Sequence, residues 1–140
     1  MSDRFFLDTN ILIYSFDPQA PAKKRVATKL IRTGAESGKG VVSYQVVQEF
    51  LNVALKRFAV PMSISDATEY LGTILRPLWT VQSSEPLFAT ALRLCHEHRL
   101  AWYDALIVSA ALETECETLY SEDLQHGRRF EDLQIQNPFR

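Results

Sequence analysis

Cysteine and histidine are scarce in these 140 residues, and no charge of one sign dominates. The two cysteines, Cys95 and Cys116, fall in helix-like segments and form no spaced framework. That excludes a disulfide-stapled scaffold and points to free, buried thiols in a reduced cytoplasm. No apolar stretch reaches the roughly 18 residues that span a bilayer. The opening "MSDRFFLDTN" lacks a basic n-region and a small-residue cleavage site, so it reads as no secretory signal. His96 and His98, in "CHEHR", stand two apart and cannot share a helix face, and His126 reads as a loop residue. No histidine is therefore placed to form an acid–base pair. Repeats, low-complexity tracts and linkers are also missing, so residues 1–140 are expected to form a single domain with a proper core.

The chain has 46% hydrophobic and 23% charged residues, as in ordinary globular proteins. Strand and helix signals alternate along it. Residues 4–7 read as a short buried strand ending at Asp8, and "ILIYSF" as a short helix stopped by Asp17-Pro18. Residues 21–36 place Val26, Ala27, Leu30 and Ile31 at helical spacing, with Pro21 and Gly34 suiting its two ends. "GKGVVS" is a second strand, and Ser43 a plausible N-cap for the amphipathic "YQVVQEFLNVALKRF". Ser63 or Ser65 starts a helix through about Leu75, and "LWTVQ" is a third strand. Ser84-Glu85-Pro86 opens another helix, and "WYDALIVSAALETEC" reads as a helix buried on most sides. "TLYS" is a fourth strand, followed by the polar loop "EDLQHGRR", and "LQIQNP" is an edge-strand candidate. This alternation predicts an α/β three-layer sandwich, its central parallel sheet of about four to five strands flanked by helices.

Four acids stand out by position. Asp8 follows the first strand, Glu49 lies in the first turns of the helix after the second, Asp104 starts the buried helix, and Asp123 follows the fourth strand. In open parallel sheets the ligand crevice lies at the carboxyl ends of the strands, where these positions would converge. Clustered carboxylates raise each other's pKa. Hard divalent cations resolve that conflict, because Mg²⁺ or Mn²⁺ takes oxygen ligands. Two such ions roughly 3.5–4 Å apart can activate water and stabilise the leaving oxygen of a phosphodiester. The net charge of −2 does not advertise a nucleic-acid binder, but setting four of the seventeen acids aside leaves fifteen basic residues against thirteen acidic.

Each acid also has an ordinary explanation. Asp8 and Asp104 suit helix N-caps, Glu49 suits a charged helix flank, and Asp123, beside Glu122, suits a solvated loop. The coincidence of four argues for a site. Thr9, Asn10, Ser43 and Ser121 flank the acids, either to hold them or as turn and cap residues. Trp102 and Tyr103 would either stack on a base or pack before the buried helix. The basic run Lys23-Lys24-Arg25, with Lys29 and Arg32, is either a solvated helix face or a phosphate rail.

"FFLDTNILIY", "SYQVVQEFLNV", "WYDALIVSAA" and "TLYSEDLQHG", in this order, resemble the four acid-bearing segments of PIN domains. More narrowly they resemble the VapC-type toxin ribonucleases of bacterial toxin–antitoxin pairs, across nearly the whole chain. The resemblance implies a metal-dependent endoribonuclease using Mg²⁺ or Mn²⁺. It implies Asp8, Glu49, Asp104 and Asp123 as catalytic metal ligands, with Thr9, Asn10 and Ser121 as supporting polar residues. Lys23, Lys24, Arg128 and Arg129 are the candidate RNA contacts. A homodimer and a small antitoxin covering the cleft are further implications. Glu122 is an extra acid that competes with Asp123 for the fourth position.

Four other readings compete. A metal-free ribonuclease using the RNA 2′-hydroxyl lacks its histidines. A haloacid-dehalogenase-like phosphatase needs a second Asp two positions after the first, where this chain has Asn10. A catalytically idle PIN-like adaptor for RNA or protein would be expected to have lost acids that this chain keeps. A PIN ribonuclease of RNA processing, without an antitoxin, shares the same acids.

Overall fold

The structure is a computed structural model that describes residues 2–140. Its centre is a six-stranded sheet in the order β3-β2-β1-β4-β6-β5. The strands are β1 (Phe5–Leu7), β2 (Gly40–Ser43), β3 (Trp79–Val81), β4 (Thr118–Tyr120), β5 (Arg129–Phe130) and β6 (Leu133–Gln136). All neighbours pair in parallel except β5, which runs antiparallel to β6. β5 is the outermost strand on that side, so "LQIQ" of β6 lies one strand inside the edge. The short central strands are apolar because helices cover both faces: Phe6, Leu7, Val42 and Leu119 are fully buried.

Helices α1 (Thr9–Tyr14), α2 (Pro21–Ser37) and α3 (Tyr44–Lys56) follow or join the first two strands. α2 crosses β2 where two glycines meet. A Cβ added at Gly40 would stand 2.6 Å from the Gly34 Cα, so neither position admits a side chain at this spacing. Ser63 caps α4 (Ile64–Tyr70), which continues through a π-turn at Leu71–Leu75 into α5 (Arg76–Leu78). That helical stretch runs three residues beyond the expected Leu75. α6 (Glu85–His98) begins at its Ser84 cap.

α7 (Trp102–Glu113) is buried continuously from Ala105 to Ala111, so it carries no polar stripe there. Cys116 lies in the connection after α7 rather than within the helix, and both cysteines are free. No helix is long and apolar enough to cross a membrane among the described residues.

The chain moves from β1 through β2 to β3 on one side, then returns to place β4 on the other side of β1. The strand order therefore reverses between β1 and β4. Helix-leading loops diverge at such a point and open a crevice at the carboxyl edge.

Candidate active site

The register of β1 against β4 builds the floor of this crevice. Leu7 pairs with Tyr120, and the Asp8 N–H donates to the Tyr120 carbonyl at 3.0 Å. Asp8 and Ser121 therefore leave the sheet side by side, and Ser121 Oγ donates to Asp8 Oδ2 at 2.7 Å. The other oxygen, Oδ1, accepts from the Thr9 N–H at 2.7 Å, so Asp8 also caps α1. Its capping and cleft positions are compatible, one oxygen serving each neighbour. Ser121 Oγ in turn accepts from the N–H groups of Asp123, at 3.2 Å, and Leu124, at 3.3 Å. One buried hydroxyl thus joins the β1 acid to the loop carrying the β4 acid.

Ser43 caps α3 through the Val46 N–H, at 3.4 Å, and does not line the cleft. The helix it starts puts Gln45 and Glu49 on one face, four residues apart. Thr9 Oγ1 donates to Glu49 Oε1 at 2.6 Å, and Gln45 Nε2 donates to Glu49 Oε2 at 3.4 Å. Asp104 lies in the first turn of α7, whose N-cap is Ala101, so Asp104 is not a cap. Asn10 bridges the cleft: its Nδ2 donates to Asp123 Oδ2 at 3.1 Å, and its Oδ1 accepts from the Glu122 N–H at 3.4 Å.

Asp8, Glu49, Asp104 and Asp123 line one cleft of about 340 Å³, together with Thr9, Asn10 and Gln45. No Lys or Arg lines it among the described residues. The electrostatic consequence is largest at Asp8, whose carboxyl is pushed up to about 6. Burial is the main cause, opposed by the hydrogen bonds from Ser121 and Thr9 and reinforced by the charges of Asp123 and Glu49. Burial also raises Asp104, again with Asp123 and Glu49 contributing. The acids therefore sense one another.

Among the described residues, no three His, Cys, Asp or Glu side chains are grouped to hold a metal ion. Asp8, Glu49 and Asp123 are instead each turned to neutral hydroxyl or amide donors. The chemistry of the cleft still fits a hard divalent cation, since its acids and amides offer oxygen and neither His nor Cys lines it.

Glu122 takes the other side of α1. It accepts from Tyr14 Oη at 2.6 Å and from Lys23 Nζ at 2.5 Å. Burial alone would raise its carboxyl, but those two bonds and the Lys23 charge hold it below the usual value. Of the two adjacent acids, only Asp123 lines the cleft.

None of the candidate RNA contacts lines the cleft. Lys23 is engaged by Glu122, with its ammonium 4.5 Å from the Tyr14 ring centroid. Lys24 is exposed. Arg128 Nη2 donates to the His98 carbonyl at 3.0 Å, and its guanidinium lies over Phe130. Arg129 pairs with Gln134, itself level with Thr118 at the amino end of β4, away from the cleft. The histidines stay outside the cleft as well. His126 Nδ1 accepts from the Asn137 N–H at 3.0 Å.

Two participants were not anticipated: Gln45 and the Tyr14 hydroxyl. Gln45 is buried, and its Oε1 is an unpartnered buried polar side-chain atom. Its spacing from Glu49 was the available signal.

No curated protein matches the chain. Solved structures do. A toxin–antitoxin complex from Klebsiella pneumoniae aligns at 19% identity and TM-score 0.67, covering 95% of this chain and 96% of that one. FitAcB from Neisseria gonorrhoeae aligns at 19% identity and TM-score 0.63, covering 96% and 98%. VapC20 of Mycobacterium tuberculosis, described as a toxin cleaving the sarcin–ricin loop, aligns at 16% identity and TM-score 0.58, covering 85% and 89%. At such identities these are likenesses of fold. The PIN domain family model matches residues 5–131, so the chain belongs to the PIN domain family.

Proposed function

We propose that residues 1–140 act as one nuclease domain, a metal-dependent endoribonuclease that hydrolyses RNA phosphodiester bonds. One observation carries this reading: acids from four separate segments line a single cation-free cleft at the point where the strand order reverses. Asp8, Glu49, Asp104 and Asp123 would hold Mg²⁺ or Mn²⁺. When bound, such an ion activates water and neutralises charge on the phosphoryl oxygens.

The chain's own residues orient that set. Ser121 and the Thr9 N–H fix both oxygens of Asp8. Thr9 Oγ1 and Gln45 fix Glu49. Asn10 ties Asp123 to α1 and in doing so occupies the position where a phosphatase of the haloacid-dehalogenase type needs its second acid.

The fold shared with toxin–antitoxin proteins supports a finer reading, in which the chain is the toxin of a type II pair. Its small antitoxin would lay an Arg or Lys against Asp8, Glu49 and Asp104, since a cation there answers the uncompensated charge. The protein would work as a homodimer in the cytoplasm. Incubation of the purified chain with structured RNA tests the central claim. Cleavage is expected with Mg²⁺ or Mn²⁺ and is expected to stop in EDTA. Robust cleavage in chelator overturns the metal mechanism. RNA binding without cleavage in either metal makes the protein an idle adaptor. Co-purification with the product of a neighbouring gene tests the antitoxin, and failure to recover one removes the toxin reading while leaving the nuclease.

A further inference from the structure

We propose that Tyr103 is a base-stacking platform beside the acid cleft, holding one unpaired nucleotide next to the phosphodiester. This rests on the ribonuclease reading above and names a side chain of the site that would hold a base. Tyr103 is 65% exposed and lines the cleft, whereas the other exposed large apolar residues, such as Ile64, Phe88 and Leu92, do not. Its neighbours in sequence do different work. Trp102 is half-buried against Phe88, with ring centroids 5.9 Å apart, and Asp104 is one of the four cleft acids.

The backbone under Tyr103 is fixed from inside. Gln45 Nε2 donates to the Tyr103 carbonyl at 3.3 Å and to Glu49 Oε2 at 3.4 Å. Both partners are acceptors, so the amide must present its NH₂ to them and leave Oε1 unpartnered. A buried amide thus links the position of the aromatic ring to that of a cleft acid. A rigidly mounted site is more selective than one on a free loop.

The electrostatics favour stacking as a source of affinity. With no Lys or Arg lining the cleft, direct ion pairing there cannot hold an RNA phosphate. Stacking on an aromatic ring needs no charge and tolerates any base. It requires a base free of its helix, because duplex RNA presents backbone and groove edges but not base faces.

Binding of a fluorescently labelled single-stranded RNA decamer to the whole chain, with Ca²⁺ in place of Mg²⁺, tests the proposal. Tyr103→Ala is expected to weaken binding about ten-fold, the scale of one stacked base. Tyr103→Phe keeps the ring and is expected to stay within about two-fold of wild type. A duplex of the same sequence is expected to bind wild type and Tyr103→Ala equally. Ile64→Ala, exposed but outside the cleft, serves as the surface control.

Wild-type affinity in Tyr103→Ala overturns the proposal, as does a Phe variant as weak as Ala or an equal loss on duplex. So does an absence of RNA binding by wild type. Mg²⁺-dependent cleavage by wild type is scored separately. If wild type cleaves but Tyr103→Ala binds normally, only the stacking role falls. If Tyr103-dependent binding occurs without cleavage, only the nuclease reading falls.

Discussion

Two acidic neighbourhoods flank α1, and they solve the same problem in opposite ways. On one side Glu122 faces Lys23 and Tyr14, and its carboxyl is held below the usual value. On the other side Asp8 is buried with only neutral donors, and its carboxyl is pushed up to about 6. Glu122 and Asp123 are adjacent in the chain, yet they belong to different sides. A carboxylate used for structure is given its cation by the fold. A group of carboxylates left without one stores unfavourable charge that an external cation would relieve. The contrast separates the proposed site acids from scaffold acids better than exposure does, since Asp123 is exposed and Asp8 is buried.

The comparison breaks most sharply if charge on the cleft side proves unnecessary. Asp8→Asn and Asp123→Asn are each expected to lower Mg²⁺-dependent RNA cleavage by two orders of magnitude or more, measured as single-turnover rates. Asn caps a helix about as well as Asp, so α1 should survive the first change. In EDTA at pH 7, Asp8→Asn should melt at the wild-type temperature or above it. A variant that cleaves normally, or that fails to fold in EDTA, would show Asp8 to be a scaffold residue like Glu122.

Next in size is a pH effect on the apo protein. The folded state holds the Asp8 proton more tightly than the unfolded chain, for which the ordinary value is 3.8. The native state therefore binds more protons between about pH 4 and pH 6, and stability falls as pH rises through that window. Stability from this group is full below pH 4 and lost above pH 6. A shift from 3.8 to about 6 corresponds to about 3 kcal/mol. Urea unfolding of wild type and Asp8→Asn in EDTA isolates it, because the other carboxylates are common to both. The difference between the two proteins should grow in favour of the variant from pH 4 to pH 7. A constant difference would mean that the burial of Asp8 is already compensated. Excess Mg²⁺ should stabilise wild type more than the variant.

Ser121→Ala follows. It removes the hydroxyl that donates to Asp8 and accepts from two N–H groups of the loop. Leaving buried partners unmet costs roughly 1–3 kcal/mol. A fall of several degrees in melting temperature is expected, with reduced cleavage as the Asp123 loop loosens. Wild-type melting and wild-type cleavage together would remove Ser121 from the site.

Much of this was legible in the chain. Alternating strand and helix signals gave the parallel sheet, and Asp8, Glu49, Asp104 and Asp123 could be singled out because each sits where a strand ends or a helix begins. What was hidden depends on contacts between distant segments. Tyr14 reads as one more apolar residue of "ILIY", and only the folded chain brings its hydroxyl to Glu122, 108 residues away. Gln45 sits between half-buried Tyr44 and buried Val46 of α3, where periodicity reports core and says nothing of an amide's partners. Arg129 ends the polar loop "EDLQHGRR" in the sequence reading, but a two-residue strand has no period to read, and its pairing with β6 carries it toward the other end of the sheet.

The smallest expected effect is the one that tests the comparison from its structural side. Glu122→Gln keeps an oxygen for the Tyr14 hydroxyl and removes the charge and the second acceptor oxygen that face Lys23. Lys23 and Glu122 are both partly solvated, so their pairing adds little to stability and melting should drop only slightly. Cleavage should stay within about two-fold of wild type, because the loop is also held by Asn10 and Ser121. The released Lys23 ammonium would be a free cation on the side of α1 away from the cleft, so any change in RNA affinity should be a gain that salt abolishes. A loss of cleavage comparable to that of Asp123→Asn would place Glu122 among the working acids. The division of the two sides by their cations would then be wrong.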